Sequence, residues 1–495
     1  MSDIPITAGS PAQFEDGVQW RRMHPVTPAV KGWKVFAAAL VIIGVQSADN
    51  VQDLAEWLGG RVWLAALGLL AIVFLIGFGY SAIAWRVTRF AVTDDAVQLR
   101  TGVLFRQQRQ ARLDRLQAID VVQPLLARLF GLAELRLEVA GGSGSAVSLA
   151  FLREAEAEQL RADLLARAAG VHRGSSAPAP IESVAVEDPR VTVTGTEPPG
   201  APTAPERPVF SVPVGRLVAS TLLTWAVFWL LVWVAVLVVS MVLTRSLGPV
   251  IGILPGLFAV VSYLWGRVNR GANFRAAISP DGIRLRHGLT ETRAQTVPPG
   301  RVQAVRIYQS ILWRKADWWR VEINVAGYGQ EEDGQQTDTA LLPVGTREDV
   351  LLALWLVLPD LGTEDPQSLI DAGLTGNAPA FGYTSPRRAR WLDPVAWRRT
   401  GVAVTERALL MRSGRVTRSL IVVPHERTQS LGLSQGPWER RLGLADFEVH
   451  STPGPVTPAI YHLDARDAAR LVEEQSVRAR TARAAAGPEQ WMRQA

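Results

Sequence analysis

The chain has 495 residues, 48% of them hydrophobic, and a mean hydropathy of +0.12, which leaves room for about three domains at roughly 100–200 residues each. It contains no cysteine, so disulfides, thiolate metal centres and cysteine nucleophiles are excluded. A net charge of +6 and a pI near 10 favour anionic partners, either lipid headgroups or nucleic acid. The apolar segments decide for the membrane and against nucleic acid.

Residues 1–32 read as a cytoplasmic leader. Trp33 to Gln46 is a short apolar run that Asp49 closes early. It is a tilted or partly interfacial first span or, less consistently with the long polar leader, a signal peptide ending at Val45-Gln46-Ser47-Ala48. Arg61 to Trp85 is almost free of charge and exceeds the ~20 residues that cross a hydrocarbon core. Together these make a first hairpin over 33–85. Leu217 to Leu243, followed by the Gly- and Pro-interrupted Pro249 to Trp265, makes a second over 215–266. Several of the 17 Trp sit near the ends of these runs, where an amphipathic ring suits the headgroup region. Arg21, Arg22, Lys31 and Lys34 precede the first hairpin, and Arg86 and Arg89 follow it. Arg207 and Arg216 precede the second, and Arg267, Arg270 and Arg275 follow it. Positive charge stays inside, so both termini and all large domains are expected in the cytoplasm.

The soluble parts repeat. Val92-Thr93 … Val97-Gln98-Leu99-Arg100-Thr101-Gly102 returns as Ile278-Ser279 … Ile283-Arg284-Leu285-Arg286-His287-Gly288. It returns again as Val404-Thr405 … Leu409-Leu410-Met411-Arg412-Ser413-Gly414, at offsets of 186 and 312. At the same offsets Gln117 aligns with Gln303 and Gln429, Gln123 with Gln309 and Gln435, and Arg128 with Arg314 and Arg440. The first runs alternate with period two, as half-buried strands do. Gly102, Gly288 and Gly414 stand where a hairpin turn needs positive φ. Gly141-Gly142-Ser143-Gly144 reads as a hairpin loop. Each copy closes with an amphipathic helix, at Arg153 to Ala169, Thr346 to Leu358 and Asp464 to Arg480. The expected fold is therefore an α+β membrane protein with four transmembrane helices in two hairpins. Three small β-barrel or sandwich domains, each capped by a helix, span 86–170, 267–362 and 401–482. A flexible linker covers 171–214, a basic linker 363–400 and a tail 483–495. The third domain is expected to fold alone, since no span follows it.

Three features carry a family resemblance: the strand–Arg-x-Gly–strand opening, the Arg-x-Gln that precedes a Gln-x-x-x-x-Arg, and Gly-Leu before the second hairpin. Gly131-Leu132 and Gly443-Leu444 keep the last pair, and the middle copy replaces it with Asp317-Trp318. These residues resemble the second class of bacterial PH (pleckstrin-homology-like) domains, in the three-copy membrane proteins of the YdbT type. The resemblance implies PH-like domains, no established reaction, no cofactor, and a smaller membrane partner bearing one such domain.

Candidates for chemistry are few. His425-Glu426 suggests a base beside a carboxylate, but the other copies carry Leu113-Asp114 and Pro299-Gly300 there, and no metalloprotease or phosphate-binding motif occurs. Glu331-Glu332-Asp333 reads as a solvated loop. The repeated Gln residues either line a groove or hold backbone at a barrel corner, and the repeated Arg residues pair inside the domain or face an anionic surface. The candidate membrane-surface contacts are Arg387, Arg388, Arg390, Trp391, Trp397, Arg398 and Arg399. There Arg and Trp interleave, and the alternative is that they pack on the third domain. The expected function is a non-catalytic scaffold binding proteins or the anionic inner leaflet, as a homo- or hetero-oligomer. The alternative is an accessory subunit of a transport, export or envelope-stress resistance system.

Overall fold

A computed structural model describes residues 20–22, 24, 27, 62–93, 95–102, 106–139, 147–168, 207–245, 248–279, 282–297, 300–326, 339–376 and 381–486. The apolar run at 33–46, the glycine loop at 141–144, the acidic loop at 331–333 and the tail from 487 lie outside the described residues.

The first copy begins with β1 (Arg21–Arg22), passes through helix α1 (Val62–Val87), and continues with β2 (Arg89–Val92), β3 (Ala96–Thr101) and β4 (Gln107–Arg112). It then forms β5 (Leu116–Pro124), β6 (Leu132–Val139), β7 (Val147–Arg153) and helix α2 (Glu154–Ala168). The second copy follows with β8 (Arg207–Ser211), α3 (Val214–Leu222), α4 (Trp225–Thr244), α5 (Gly248–Gly271), β9 (Arg275–Ser279), β10 (Gly282–His287) and β11 (Glu291–Val297). It closes with β12 (Val302–Ser310), β13 (Trp319–Val325), β14 (Ala340–Gly345) and α6 (Arg347–Val357). In the third, α7 (Pro366–Thr375) leads to β15 (Tyr383–Thr384), β16 (Gly401–Val404), β17 (Ala408–Ser413) and β18 (Thr417–Pro424). The copy ends with β19 (Ser430–Ser434), β20 (Leu444–His450), β21 (Ala459–Asp464) and α8 (Ala465–Ala485). Every copy thus has four antiparallel strands, then three, then a helix.

The turn chemistry follows the repeat. Gly102, Gly288 and Gly414 have φ of 106°, 115° and 75°. A Cβ at Gly414 would come to 2.0 Å from the Thr417 carbonyl oxygen, so only glycine fits there. The middle copy, lacking the second glycine, keeps the same left-handed turn. Asp317 has φ 49° beside 64° at Gly131 and 62° at Gly443. Its carboxylate accepts from Trp319 Nε1 at 2.8 Å and Gln309 Nε2 at 3.3 Å, local bonds that favour this conformation.

The copies are not separate beads. The three-stranded sheet of one merges with the four-stranded sheet of the next, in the orders β7-β6-β5-β11-β10-β9-β8 and β14-β13-β12-β18-β17-β16-β15. Both junctions use the same register. Pro124 faces Glu291 and Ser310 faces Thr417, while Val121 faces Ala294 and Ile307 faces Leu420. Strands that would edge an isolated domain become central, and β13 is buried at all seven positions. Its Glu322 carboxylate accepts from Arg306, from Arg320 Nε at 2.9 Å and from Tyr308 Oη at 3.0 Å. Burial pushes the Tyr308 phenol up to about 12, with the opposing charges of Arg320 and Glu322 secondary.

One apolar core runs through the second junction. Val305, Ile307, Val321 and Ile323 of the second copy pack with Ala403, Leu410, Leu420 and Val422 of the third. Asn324 on β13, 1% exposed, donates Nδ2 to the carbonyls of Val456 (2.6 Å) and Thr452 (3.3 Å) and accepts from Val456 N at 2.8 Å. An autonomous third copy does not accord with this packing, because isolation exposes Leu410, Leu420 and Val422. The presumed linkers also fold in part. Arg207–Ser211 and Tyr383–Thr384 are strands, and Pro366–Thr375 is a helix capped by Asp365, which accepts from Ser368 N at 3.0 Å.

Among the described residues one helix is long and apolar enough to cross a membrane, α4, with a mean hydropathy of 2.8 over its best window and none of that window buried. The run expected from Leu217 breaks at Leu223–Thr224, where Thr224 is extended (φ −119°, ψ 154°). The preceding α3 buries Leu217, Ser220 and Thr221 instead. It is fixed to the second copy by Trp313 Nε1 on the Ser220 carbonyl (3.0 Å) and by the Arg216–Asp349 ion pair (2.8 Å). Helix α1 also exposes large apolar side chains, among them Leu75, Ile76 and Tyr80.

Two outcomes test these contacts. Asn324→Ala leaves the buried N–H and C=O of Val456 unpaired and is expected to cost about 2–4 kcal/mol, read as a lowered unfolding midpoint of the detergent-solubilised chain. His425, 1% exposed, bonds the Thr405 carbonyl through Nε2 (3.0 Å) and accepts from Gln475 Nε2 through Nδ1 (2.9 Å), which ties α8 to the barrel. Burial holds its imidazole below the usual 6.5, against the raising effect of the Thr405 bond. The unfolded chain then binds the extra proton first, so His425 subtracts nothing at pH 7.5 and costs stability as pH falls below 6.5. Between pH 7.5 and 5.5 the melting temperature of the native chain is expected to fall, and His425→Gln is expected to flatten that fall.

Candidate membrane-facing site

The strand pair that opens each copy is the root of an excursion. In the first copy, Arg22 of β1 pairs with Arg89 of β2, and α1 lies between them. In the second, Ser211 of β8 pairs with Arg275 of β9, and α3, α4 and α5 lie between. In the third, Thr384 of β15 pairs with Gly401 of β16, and Ser385 N donates to the Thr400 carbonyl at 3.2 Å. Only residues 385–400 lie between, and they carry the Arg and Trp side chains singled out above. A basic loop therefore stands where the other copies send out helices.

The loop is compact because its backbone is used internally. A 3-10 turn over Arg387–Trp391 buries Ala389, whose carbonyl takes Leu392 N (3.1 Å) and Asp393 N (2.8 Å). Asp393, the loop's one acid, accepts from Ala396 N at 2.9 Å and starts the next turn. The charged side chains divide into two groups. Arg388, though exposed, is tied back to the domain, donating to the Asp464 carboxylate and to the Gly443 carbonyl at 3.1 Å. Arg399 is buried and donates to the Gly373 (2.8 Å) and Leu374 (2.6 Å) carbonyls at the C-terminal end of α7, where cations are favoured. Burial, aided by Arg418 and Arg412, pushes its guanidinium down to about 10, so it stays charged at neutral pH. These two contacts hold the loop to the domain, a role the sequence pattern did not separate from surface contact.

Arg387, Arg390 and Arg398 are exposed. Trp391 is 70% exposed, Val395 is exposed and Trp397 is half-buried. The Arg390 guanidinium lies 5.3 Å from the Trp391 ring centre and Arg398 lies 5.3 Å from that of Trp397. The outward face thus alternates guanidinium and indole, and indoles are suited to the interfacial layer of a bilayer.

The repeated Gln and Arg residues lie at the junctions. Gln303 is buried and donates to the Arg301 carbonyl at 3.3 Å. Gln309 is buried on Asp317, Gln435 is exposed and donates to the Leu444 carbonyl at 2.7 Å, and Gln123 is half-buried. Gln429 is exposed, with its backbone N–H on the His450 carbonyl at 3.0 Å. The Gln117 side chain lies outside the described residues. Arg314 donates across the second junction to the carbonyls of Arg415 and Val416 in the third copy's hairpin, the latter at 3.2 Å. Burial, with Arg418 and Arg415 nearby, lowers its pKa. Arg128 and Arg440 are exposed. No positional signal distinguishes Arg314 as a bridge, because its target lies about a hundred residues away.

Groups that suggest chemistry are absorbed by the fold. Glu439, Asp446 and His462 offer three ligand-type atoms within 4.8 Å. Glu439, however, accepts from Gly436 N at the start of the short helix Pro437–Leu442, and Asp446 accepts from His462 N at 2.8 Å. Burial raises the Asp446 pKa, with the His462 backbone bond opposing.

The family described as "Bacterial PH domain" matches residues 39–168, 217–354 and 370–479. The third match begins inside α7, ahead of β15, whereas the first two begin between the strands that root the helical excursions. The transmembrane protein YdbT of Bacillus subtilis (strain 168) is 24% identical over 280 residues, 56% of this chain and 57% of that protein. The match thus spans somewhat more than half the relative's length. No solved structure matches the chain. With three matched regions that together cover most of the chain, each lying within one four-plus-three-stranded copy closed by a helix, the chain belongs to the bacterial PH domain family.

Proposed function

We propose that this chain is a non-catalytic membrane scaffold whose three fused PH-like copies form a rigid cytoplasmic row, held to the inner leaflet by two helical hairpins and by the loop at residues 385–400. One observation carries this proposal: the strand pair that roots the helices in two copies roots an Arg/Trp loop in the third. A basic side chain near an anionic leaflet contributes about 1 kcal/mol, so Arg387, Arg390 and Arg398 together contribute about 3 kcal/mol before screening. Arg388 and Arg399 are excluded from that sum by their internal bonds. Nothing described in α4 favours a transport role, since the Thr244 hydroxyl donates to the Ser240 carbonyl at 2.8 Å. The hydroxyls of Ser220, Thr221 and Thr224 ahead of the span likewise donate to carbonyls three or four residues back. The chain's proposed partner, as the family resemblance implies, is a smaller membrane protein with one PH-like domain.

The chain's lack of cysteine allows a direct test. Val395→Cys, labelled with an environment-sensitive fluorophore, is expected to shift to the blue in nanodiscs of anionic lipid and not in neutral ones. High salt or Arg387→Gln/Arg390→Gln/Arg398→Gln should reverse most of the shift. A signal indifferent to lipid charge would reject membrane contact. Orientation is tested separately with reporter fusions. Those after Gly170, at Gly334 and at Ala495 should report cytoplasmic, and one near Glu56 should report the opposite side. Identical readings at Gly170 and Glu56 would overturn the second span.

A further inference from the structure

The two internal junctions leave a matching pair of edges at the ends of the row. Strand β4 ends the four-stranded sheet of the first copy, and β19 ends the three-stranded sheet of the last. By the repeat offsets, β4 corresponds to β11 and β18, and β19 corresponds to β5 and β12. Inside the chain these two kinds of edge pair with each other, twice, in one register. We propose that β19 of one chain pairs with β4 of a second copy of this chain, head to tail, with Ser434 opposite Gln107, Leu433 opposite Gln108, Gly432 opposite Arg109 and Leu431 opposite Gln110.

Three features of β19 show what is missing there. Leu433 is 48% exposed, whereas the residues at its place in the other copies, Val121 and Ile307, are 4% and 0% exposed beneath the neighbouring strand. Gln435 is exposed where Gln309 is buried. The third feature is charge. In the second copy Arg306 on β12 pairs with Glu322 on β13. In the third copy these places hold Gly432 and Glu448, which face each other across β19 and β20. The Glu448 carboxylate and the His450 ring both lean over the glycine, with Glu448 Oε2 3.8 Å and His450 Nε2 3.1 Å from where a Gly432 Cβ would lie. The transferred register sets Arg109 on the other side of Gly432, on the same face of the sheet. An arginine on the incoming strand thus takes the place of the arginine that β19 lacks. Added strands gain their affinity from the main chain and their register from such side-chain matches.

The contact is heterologous, since β19 and β4 are different surfaces, so repetition yields a ring or a filament along the membrane. Gln107, Gln108 and Gln110 on β4 replace residues that are more apolar at the second junction, Ser419, Leu420 and Val422. The polar edge disfavours indiscriminate edge-to-edge pairing and makes the contact weaker than the internal ones. This inference rests on the scaffold proposal only in placing both ends on one side of one membrane. It does not depend on the basic loop.

The native chain has no cysteine, so paired single-cysteine variants report the register. Full-length Leu433→Cys and Gln108→Cys chains, carrying different tags, are co-reconstituted into anionic liposomes and mildly oxidised. A mixed disulfide dimer is expected, at least tenfold more abundant than that formed by Leu433→Cys with Arg112→Cys, which lies about 13 Å further along the strand. Glu448→Lys should reduce the link severalfold, and adding Arg109→Glu on the partner chain should restore it. No link, equal linking at Arg112, or Leu433→Cys pairing chiefly with itself would overturn the proposal. So would linking from Leu433→Cys only to a different protein in native membranes.

Discussion

An antiparallel sheet of three or four strands ends in rows of unpaired N–H and C=O groups, and such edges are costly to bury and hazardous to expose. This chain fills them with itself. The β5–β11 and β12–β18 ladders turn four of its half-domain edges into sheet interiors. The buried core of the second and third copies, the Asn324 latch and the reach of Arg314 into the next hairpin all depend on those ladders. A shift of one residue would turn Ile307 and Leu420 out of the core and expose them.

Fusion of the sheets changes what the copies can do. Three domains on flexible tethers search independently, while three domains sharing continuous sheets hold fixed positions. That rigidity suits a scaffold. It also means that the third copy, without a helical hairpin of its own, inherits its placement from the second. Under the proposed membrane contact, its basic loop would have only to touch a surface near which it is already held, so a modest contribution from three exposed arginines would suffice.

The buried polar groups show how the junctions gain specificity. Glu322 receives two arginines and a tyrosine on a strand buried at every position. Leaving any of these groups unpaired costs more than an apolar residue would in its place. Each therefore penalises alternative pairings of strands that are alike by descent, which matters in a chain with three copies of the same pattern.

From the sequence alone, the three-copy repeat, the left-handed glycines, the closing helices and the apolar character of α4 were legible. Each depends on local signals: periodicity, positive φ, or a run of apolar residues. Gly414 is glycine because a Cβ would strike Thr417, four residues from the turn's start. The break at Leu223–Thr224 and the left-handed Asp317 lay beyond those signals, since an apolar run and a polar residue each permit more than one backbone. The joining of the copies was decided by tertiary structure, because ladder hydrogen bonds come from the main chain and leave no residue-type signature. Val121, Ile307 and Leu433 look alike as aligned apolar residues. Only the packed structure buries two of them and leaves the third exposed. The division of the arginines has the same cause. Arg388 and Arg399 read no differently from Arg390 until the fold brings Asp464 and the end of α7 beside them.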